Sequence, residues 1–245
     1  MELLKKIYDK SSLFFTLMWI VIYIIGFSLG DFVSSIIKIN KLFTFIIGII
    51  ISLILLLFLK KYNLLSTYGL KKSDIHPKYM LFYIPCFIML ILNLYLGVTL
   101  NFSPLETIFY ILSMFLVGFL EELIFRGLLF NTMKKDSLKV AIIVSSITFG
   151  IGHIINLFNG SSNIILTILQ IIYATSAGFM FVMIYYRSNS IIPCIIFHAL
   201  FNGLSAFTKE TSDIFLNILS CILLTIITGG YALYLVLKKK NEVIN

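Results

Sequence analysis

The sequence has 245 residues, a formal net charge of +8 and a mean hydropathy of +1.03. Sixty per cent of the residues are hydrophobic and only 12% are charged, whereas a soluble domain carries roughly a quarter charged residues. This composition excludes a soluble globular protein, because the few polar side chains cannot cover its surface and lipid must solvate most of it. The chain is therefore expected to be a polytopic membrane protein.

Eight apolar segments follow one another along the chain, at about 11–30, 41–59, 79–99, 104–130, 138–157, 163–186, 190–207 and 213–237. Each is long enough, or nearly so, to cross about 30 Å of hydrocarbon at about 1.5 Å per residue. The runs are continuous rather than alternating, which favours helices over the strands of a barrel. We expect an all-α bundle of about eight transmembrane helices, forming a single domain over residues 1–245.

Basic side chains indicate the orientation of this bundle. With eight spans, both termini and the even-numbered loops lie on one side, which carries fifteen of the nineteen Lys and Arg residues. The opposite side carries only Lys38, Lys41 and Lys209. The positive-inside rule then predicts cytoplasmic termini and a multi-pass protein of the plasma membrane. Lysines beside spans also account for the net charge at an anionic leaflet, so no nucleic-acid partner is predicted.

Three predicted spans contain ionisable or amide side chains near mid-membrane: Glu121, Glu122 and Arg126 in the fourth, His153 in the fifth, and His198 with Asn202 in the seventh. A charged group at this depth costs several kcal/mol at least, so such groups usually have a function. Their concentration in three spans is more informative than any one of them.

Spacing assigns these side chains to helix faces. Glu122 and Arg126 are four residues apart, which allows an ion pair on one helix. The same spacing places His198 beside Asn202. Glu121 lies about 100° around the helix from Glu122, so one carboxylate can face a cavity while the other binds the arginine.

The chemistry that this set supports is hydrolysis. A carboxylate in a dry site is a better proton acceptor, so Glu121 could activate water beside His153. His198 and Asn202 could donate hydrogen bonds to the resulting oxyanion.

A zinc ion is an alternative to metal-free hydrolysis. Glu121, His153 and His198 form a known type of catalytic zinc ligand set. The common zinc-binding helix motifs, HExxH and HxxEH, are absent. The sequence is therefore compatible both with a divalent metal and with a metal-free glutamate mechanism.

Other interpretations of these side chains do not require catalysis. Glu122 and Arg126 alone could be a structural ion pair, and each histidine could simply hydrogen-bond a neighbouring helix. Ion or proton transport through the buried carboxylates is a further alternative, although no inverted repeat or interrupted helix pair supports it.

Three motifs occur in order: EExxxR at Glu121–Arg126, FxxxH at Phe149–His153 and HxxxN at His198–Asn202. With them, about residues 66–207 resemble the core of the CPBP intramembrane proteases. This family is also called Abi and includes the type II CAAX prenyl endopeptidases.

The resemblance implies an eight-helix fold with a cytoplasm-accessible catalytic cavity. It implies that Glu121 and His153 activate water, that His198 and Asn202 stabilise the oxyanion, and that Glu122, Arg126 and Phe149 support the site. The family is commonly labelled a metalloprotease, and a metal-free mechanism has also been proposed for it.

The resemblance also implies an endopeptidase whose substrate is a membrane-associated peptide or protein. Lysine outnumbers arginine 17 to 2, which suggests an AT-rich bacterial genome. Bacterial members of the family are associated with peptide pheromones and bacteriocins, so the resemblance implies such a precursor rather than a prenylated CAAX protein. A non-catalytic bacteriocin-immunity or membrane binding protein is the alternative function.

Overall fold

The computed structural model describes residues 1–160 and 163–238, which form helices and connecting loops. The helices are α1 (Glu2–Lys10), α2 (Ser12–Ile37), α3 (Leu42–Lys61), α4 (Ile84–Asn93), α5 (Pro104–Met133), α6 (Leu138–Phe158), α7 (Ile164–Ser188), α8 (Ile192–Leu204) and α9 (Ile214–Leu237). A 3-10 helix, Pro77–Tyr83, precedes α4. The all-α prediction is confirmed for this part of the chain. Lys239 and Lys240, which the charge argument assigns to the side of the termini, lie outside it.

Each of the eight predicted apolar segments corresponds to one helix. Six helices are long and apolar enough to cross a membrane: α2, α3, α5, α6, α7 and α9. The apolar segments Pro77–Asn93 and Ile192–Leu204 form shorter helices. Six full-length spans with two shorter apolar helices agree with a bundle of about eight.

Three predicted boundaries need correction. The first span continues beyond residue 30 to Ile37, so Asp31 lies inside α2. The third and seventh are shorter than 79–99 and 190–207, because apolar residues at their ends form loops. These two loops contact each other: the Thr99 amide donates to the Phe207 carbonyl at 2.8 Å. Hydropathy does not distinguish such loops from a span.

The start of α5 is encoded locally. Ser103 and Glu106 form a capping box, and Pro104 occupies the first helical turn. This arrangement satisfies amide groups that have no partner inside the helix. The fixed start places the EExxxR motif seventeen residues further along, about 25 Å from the helix N-terminus at 1.5 Å per residue.

Two glycines allow the site helices to approach closely. A Cβ atom at Gly118 of α5 would lie 2.7 Å from the Ala199 backbone nitrogen of α8. A Cβ atom at Gly178 of α7 would lie 2.9 Å from the Ser146 carbonyl oxygen of α6. Gly118 is four residues before Glu122, and Ala199 follows His198, so this contact brings the first and third motifs together.

Candidate active site

The EExxxR motif lies where α5 changes from an α-helix to a wider π-helix. The helix is α-helical over Pro104–Glu121 and π-helical over Glu122–Phe130, and each residue of the π-helical segment is buried. Such segments are rare and often lie at functional sites. Apart from the motif's Glu122 and Arg126, the segment consists of apolar residues and a glycine, so the polar groups of this motif are surrounded by dry core.

Glu122 binds two partners through one oxygen. Its Oε1 accepts hydrogen bonds from Arg126 Nη1 at 2.9 Å and from His198 Nδ1 at 2.8 Å. Glu122 and Arg126 are fully buried, and His198 is 5% exposed. Within the described residues, Glu122 Oε2 and Arg126 Nε are buried without a hydrogen-bond partner. The expected ion pair is present, and it also orients the histidine of the third motif.

Glu121 faces the other side of the same histidine. Its Oε2 lies 3.4 Å from His198 Nε2, and its Oε1 accepts a hydrogen bond from the Tyr23 hydroxyl at 2.6 Å. The Glu121 side chain is 13% exposed, whereas Glu122 is fully buried. The two carboxylates therefore differ as expected, one open to a cavity and the other in the core, and His198 lies between them.

Phe149 packs among the charged groups. The Arg126 guanidinium carbon lies 4.1 Å from its ring centroid, close enough for a cation–π contact. The rings of His198 and His153 approach Phe149 edge-on, with centroids 5.5 and 5.4 Å away. Phe181 stacks on the His198 ring at 5.6 Å. These aromatic contacts restrict the orientation of both imidazoles.

His153 and Asn202 have few internal partners. His153 Nδ1 lies 3.2 Å from the Phe149 carbonyl oxygen. Because a carbonyl only accepts, Nδ1 carries the proton, which leaves Nε2 of the neutral ring as an acceptor. The described structure gives the Asn202 side-chain amide no hydrogen-bond partner. Both residues can therefore bind a molecule in the cavity.

A cavity of about 340 Å³ contains these groups at its inner end. Glu121, His153 and Asn202 line it, together with Tyr23 and Phe149. A second cavity of about 50 Å³ is lined by His153, His198 and Asn202. The structure thus brings residues of all three motifs to one cavity.

A zinc site formed by Glu121, His153 and His198 does not fit this arrangement. Among residues 1–160 and 163–238, no group of three or more His, Cys, Asp or Glu side chains could hold a metal ion. The chemistry that fits the site is that of its own carboxylates and imidazoles.

Tyr23 is a site residue that the sequence analysis missed, because the first span has no motif. It is 98 positions away from Glu121 and 9% exposed. The signal that could have found it is its depth: it lies eleven residues after the start of α2, about 16 Å into the span. Tyrosines at a membrane interface lie at span ends instead.

Comparison with known families agrees with this geometry. Residues 103–204 match the family model described as Type II CAAX prenyl endopeptidase Rce1-like. The match begins at the capping box of α5 and ends with α8, so it includes EExxxR, FxxxH and HxxxN. No curated protein matches the chain. The three motifs, their meeting in one buried cluster and the match over residues 103–204 support the similarity of this chain to the CPBP intramembrane proteases.

Proposed function

We propose that this protein is an intramembrane endopeptidase that hydrolyses a peptide bond in a membrane-associated peptide or protein. One observation carries the proposal: Glu121 contacts a histidine that is itself fixed by a buried carboxylate–guanidinium pair, at the inner end of a polar cavity. A structural ion pair needs neither a second carboxylate nor an adjoining cavity. The protease core would occupy about residues 66–207 of a single domain.

Glu121 is assigned as the general base. It takes a proton from a water molecule, and the hydroxide oxygen forms a bond to the peptide carbonyl carbon. The Tyr23 hydrogen bond keeps one carboxylate oxygen oriented. His153 lines the same cavity and, through Nε2, accepts a hydrogen bond from this water.

His198 and Asn202 are assigned to stabilise the tetrahedral intermediate. His198 donates through Nδ1 to the Glu122 carboxylate, so its Nε2 can take up the proton held by Glu121 3.4 Å away. The imidazolium and the Asn202 amide then donate to the oxyanion. Glu121 is ionised again once its proton is on His198, and as the carbon–nitrogen bond breaks this proton passes from His198 Nε2 to the leaving amine, which leaves the imidazole neutral.

Glu122, Arg126 and Phe149 are assigned as positioning residues. Arg126 donates a hydrogen bond to the Glu122 carboxylate in a dry environment, and this carboxylate in turn accepts the hydrogen bond that orients His198. Phe149 covers the guanidinium and contacts both imidazoles. None of the three has to touch the substrate.

The finer identity follows from the sequence. The lysine-rich composition favours a bacterial plasma-membrane protein. The family resemblance then implies a pheromone or bacteriocin precursor as the substrate, with a CAAX-like peptide as the other candidate. The mechanism above uses the chain's own residues and no metal ion.

The proposal can be tested with purified protein in detergent micelles and a lipid-anchored, fluorescence-quenched peptide library. We expect cleavage by the wild-type protein and its loss in Glu121→Gln, because the amide cannot take up a proton. Glu210→Gln is the matched control, since Glu210 is an exposed carboxylate in a loop. Full cleavage by a folded Glu121→Gln variant would show that Glu121 is not the base.

A further inference from the structure

The large cavity extends from the site toward only one end of the bundle. Its outer residues include Asp31 near the end of α2, Lys41 in the loop after it, and Asn159 after α6. Ser205, directly after α8, lines the same side. All four belong to the end of the bundle that lies opposite the chain termini.

The other end of the site is closed by packed side chains. Leu123, Leu128 and Phe130, which follow Glu121 toward the end of α5, are fully buried. Tyr68 and Tyr185 cover this region and are 3% and 4% exposed. None of the residues that line the cavity lies in the loops 62–76, 134–137 or 189–191. Among the described residues, this cavity therefore reaches Glu121 from the end opposite the termini, and packed side chains lie between Glu121 and the side of the termini.

Charge indicates which membrane face carries the cavity opening. Fifteen of the nineteen Lys and Arg residues belong to the side of the termini, which the positive-inside rule assigns to the cytoplasm. Of the three lysines on the opposite side, Lys41 is paired with Asp31 at 2.8 Å beside the cavity opening. The opening then faces away from the cytoplasm.

We infer that the site receives its substrate from the extracytoplasmic face of the membrane, so that the substrate is an exported or outer-leaflet-tethered peptide. That a substrate enters through this opening rests on the proposed function. The direction of entry rests on the position of the cavity and on the distribution of basic residues. It differs from the cytoplasmic access implied by the family resemblance. A prenylated C-terminus on a cytosolic protein would approach the closed end.

Thiol labelling in intact cells can test the direction without any catalysis. Cys86, Cys194 and Cys221 are buried, so the wild-type protein serves as the blank. Ser28→Cys places a thiol in the cavity, because Ser28 lines it and is partly exposed. We expect a charged, membrane-impermeant maleimide to label this thiol from outside.

Two matched thiols calibrate the experiment. Asn159→Cys lies at the exposed outer end of the same cavity and should also react in intact cells. Asp136→Cys lies in an exposed loop on the side of the termini and should react only after the cells are permeabilised. Labelling of Asp136→Cys from outside, or of Ser28→Cys only after permeabilisation, would overturn the inference.

The outcome separates this inference from the proposed function. If micellar protein cleaves peptides but the cavity thiol reacts only from the cytoplasmic side, the protease assignment stands and the access direction is wrong. If the thiol reacts from outside and micellar protein cleaves none of the peptide library, the cavity direction stands and the protease assignment, with its substrate, fails.

Discussion

His198 is fixed by Glu122 through a buried hydrogen bond of 2.8 Å between Nδ1 and Oε1. The same oxygen accepts from Arg126, so one carboxylate holds a helix of the first motif to a helix of the third. Breaking a buried ion pair by removing one partner costs about 3–5 kcal/mol, since the other charge is left uncompensated.

A double-mutant cycle can measure the energetic coupling between Glu122 and Arg126. We expect Glu122→Gln and Arg126→Met each to lower the unfolding temperature strongly, and the double variant to be more stable than their sum predicts. The reason is that only the double variant contains no unpaired buried charge. Thermal unfolding in detergent is the measurement. Cleavage should stay low in all three variants, because His198 loses its charged acceptor. Additive stability effects would contradict the pairing.

Removal of the Tyr23 hydroxyl should slow catalysis without unfolding the protein. Hydrogen bonds to charged groups contribute about 1.5–3 kcal/mol, so Tyr23→Phe should lower kcat by roughly tenfold or more with little effect on KM. Tyr231→Phe is the control, because Tyr231 is also buried and its hydroxyl donates to the Met80 carbonyl, away from the cavity. Equal activity of the two variants would show that the Tyr23 hydroxyl does not contribute to catalysis.

The contact between α5 and α8 should not tolerate a methyl group. Gly118→Ala would place a carbon 2.7 Å from the Ala199 nitrogen, so the helices must separate. Overpacking of this kind costs about 1–3 kcal/mol. We expect a lower unfolding temperature and reduced cleavage. Gly230→Ala, which meets no atom within 4 Å, should leave both unchanged. Normal cleavage by Gly118→Ala would mean that this contact does not align the motifs.

Chelation should leave activity intact. Because the described side chains form no metal-binding group, protein treated with EDTA and separated from it should cleave at the untreated rate. Elemental analysis of the same sample should find metal at well below stoichiometric amounts. Loss of cleavage that zinc restores would contradict the proposed mechanism.

One pH effect is expected outside the membrane. Asp74 accepts hydrogen bonds from Lys71 at 2.8 Å and from Asn189 at 2.9 Å. The Lys71 ammonium group is the main cause that lowers the pKa of Asp74 below its usual value. Its contribution to stability is therefore complete above the unfolded-state pKa, about 3.9, and is lost as the pH falls through the folded-state pKa.

The variant Asp74→Asn isolates this effect. Since the pair is exposed, the difference in stability at neutral pH should be below about 1 kcal/mol. Unfolding temperatures of the wild-type and variant proteins should converge as the pH is lowered through the acid range. A difference that is independent of pH would assign the effect to something other than the Asp74 charge.

The sequence predicts the parts of the site that depend on spacing within one helix. Glu122 pairs with Arg126, and the two glutamates differ in exposure, as expected. The sequence does not predict contacts that depend on packing between helices, such as Tyr23 with Glu121 or His198 between both carboxylates. The widened helix after Glu121 and the one-sided cavity are also properties of packing. Hydropathy gives the number and order of the apolar segments, but it overestimates the lengths of α4 and α8.

The shortness of α8 has a consequence for the surrounding lipid. Its 13 residues span about 20 Å, whereas the hydrocarbon layer is about 30 Å thick, and Ile192, Ile196 and Leu200 are exposed on its surface. We expect the bilayer to become thinner beside this helix. Water then comes closer to the backbone of a transmembrane peptide that arrives there. The peptide can unwind at lower cost, because its freed amide groups find hydrogen-bond partners before one of its bonds reaches Glu121.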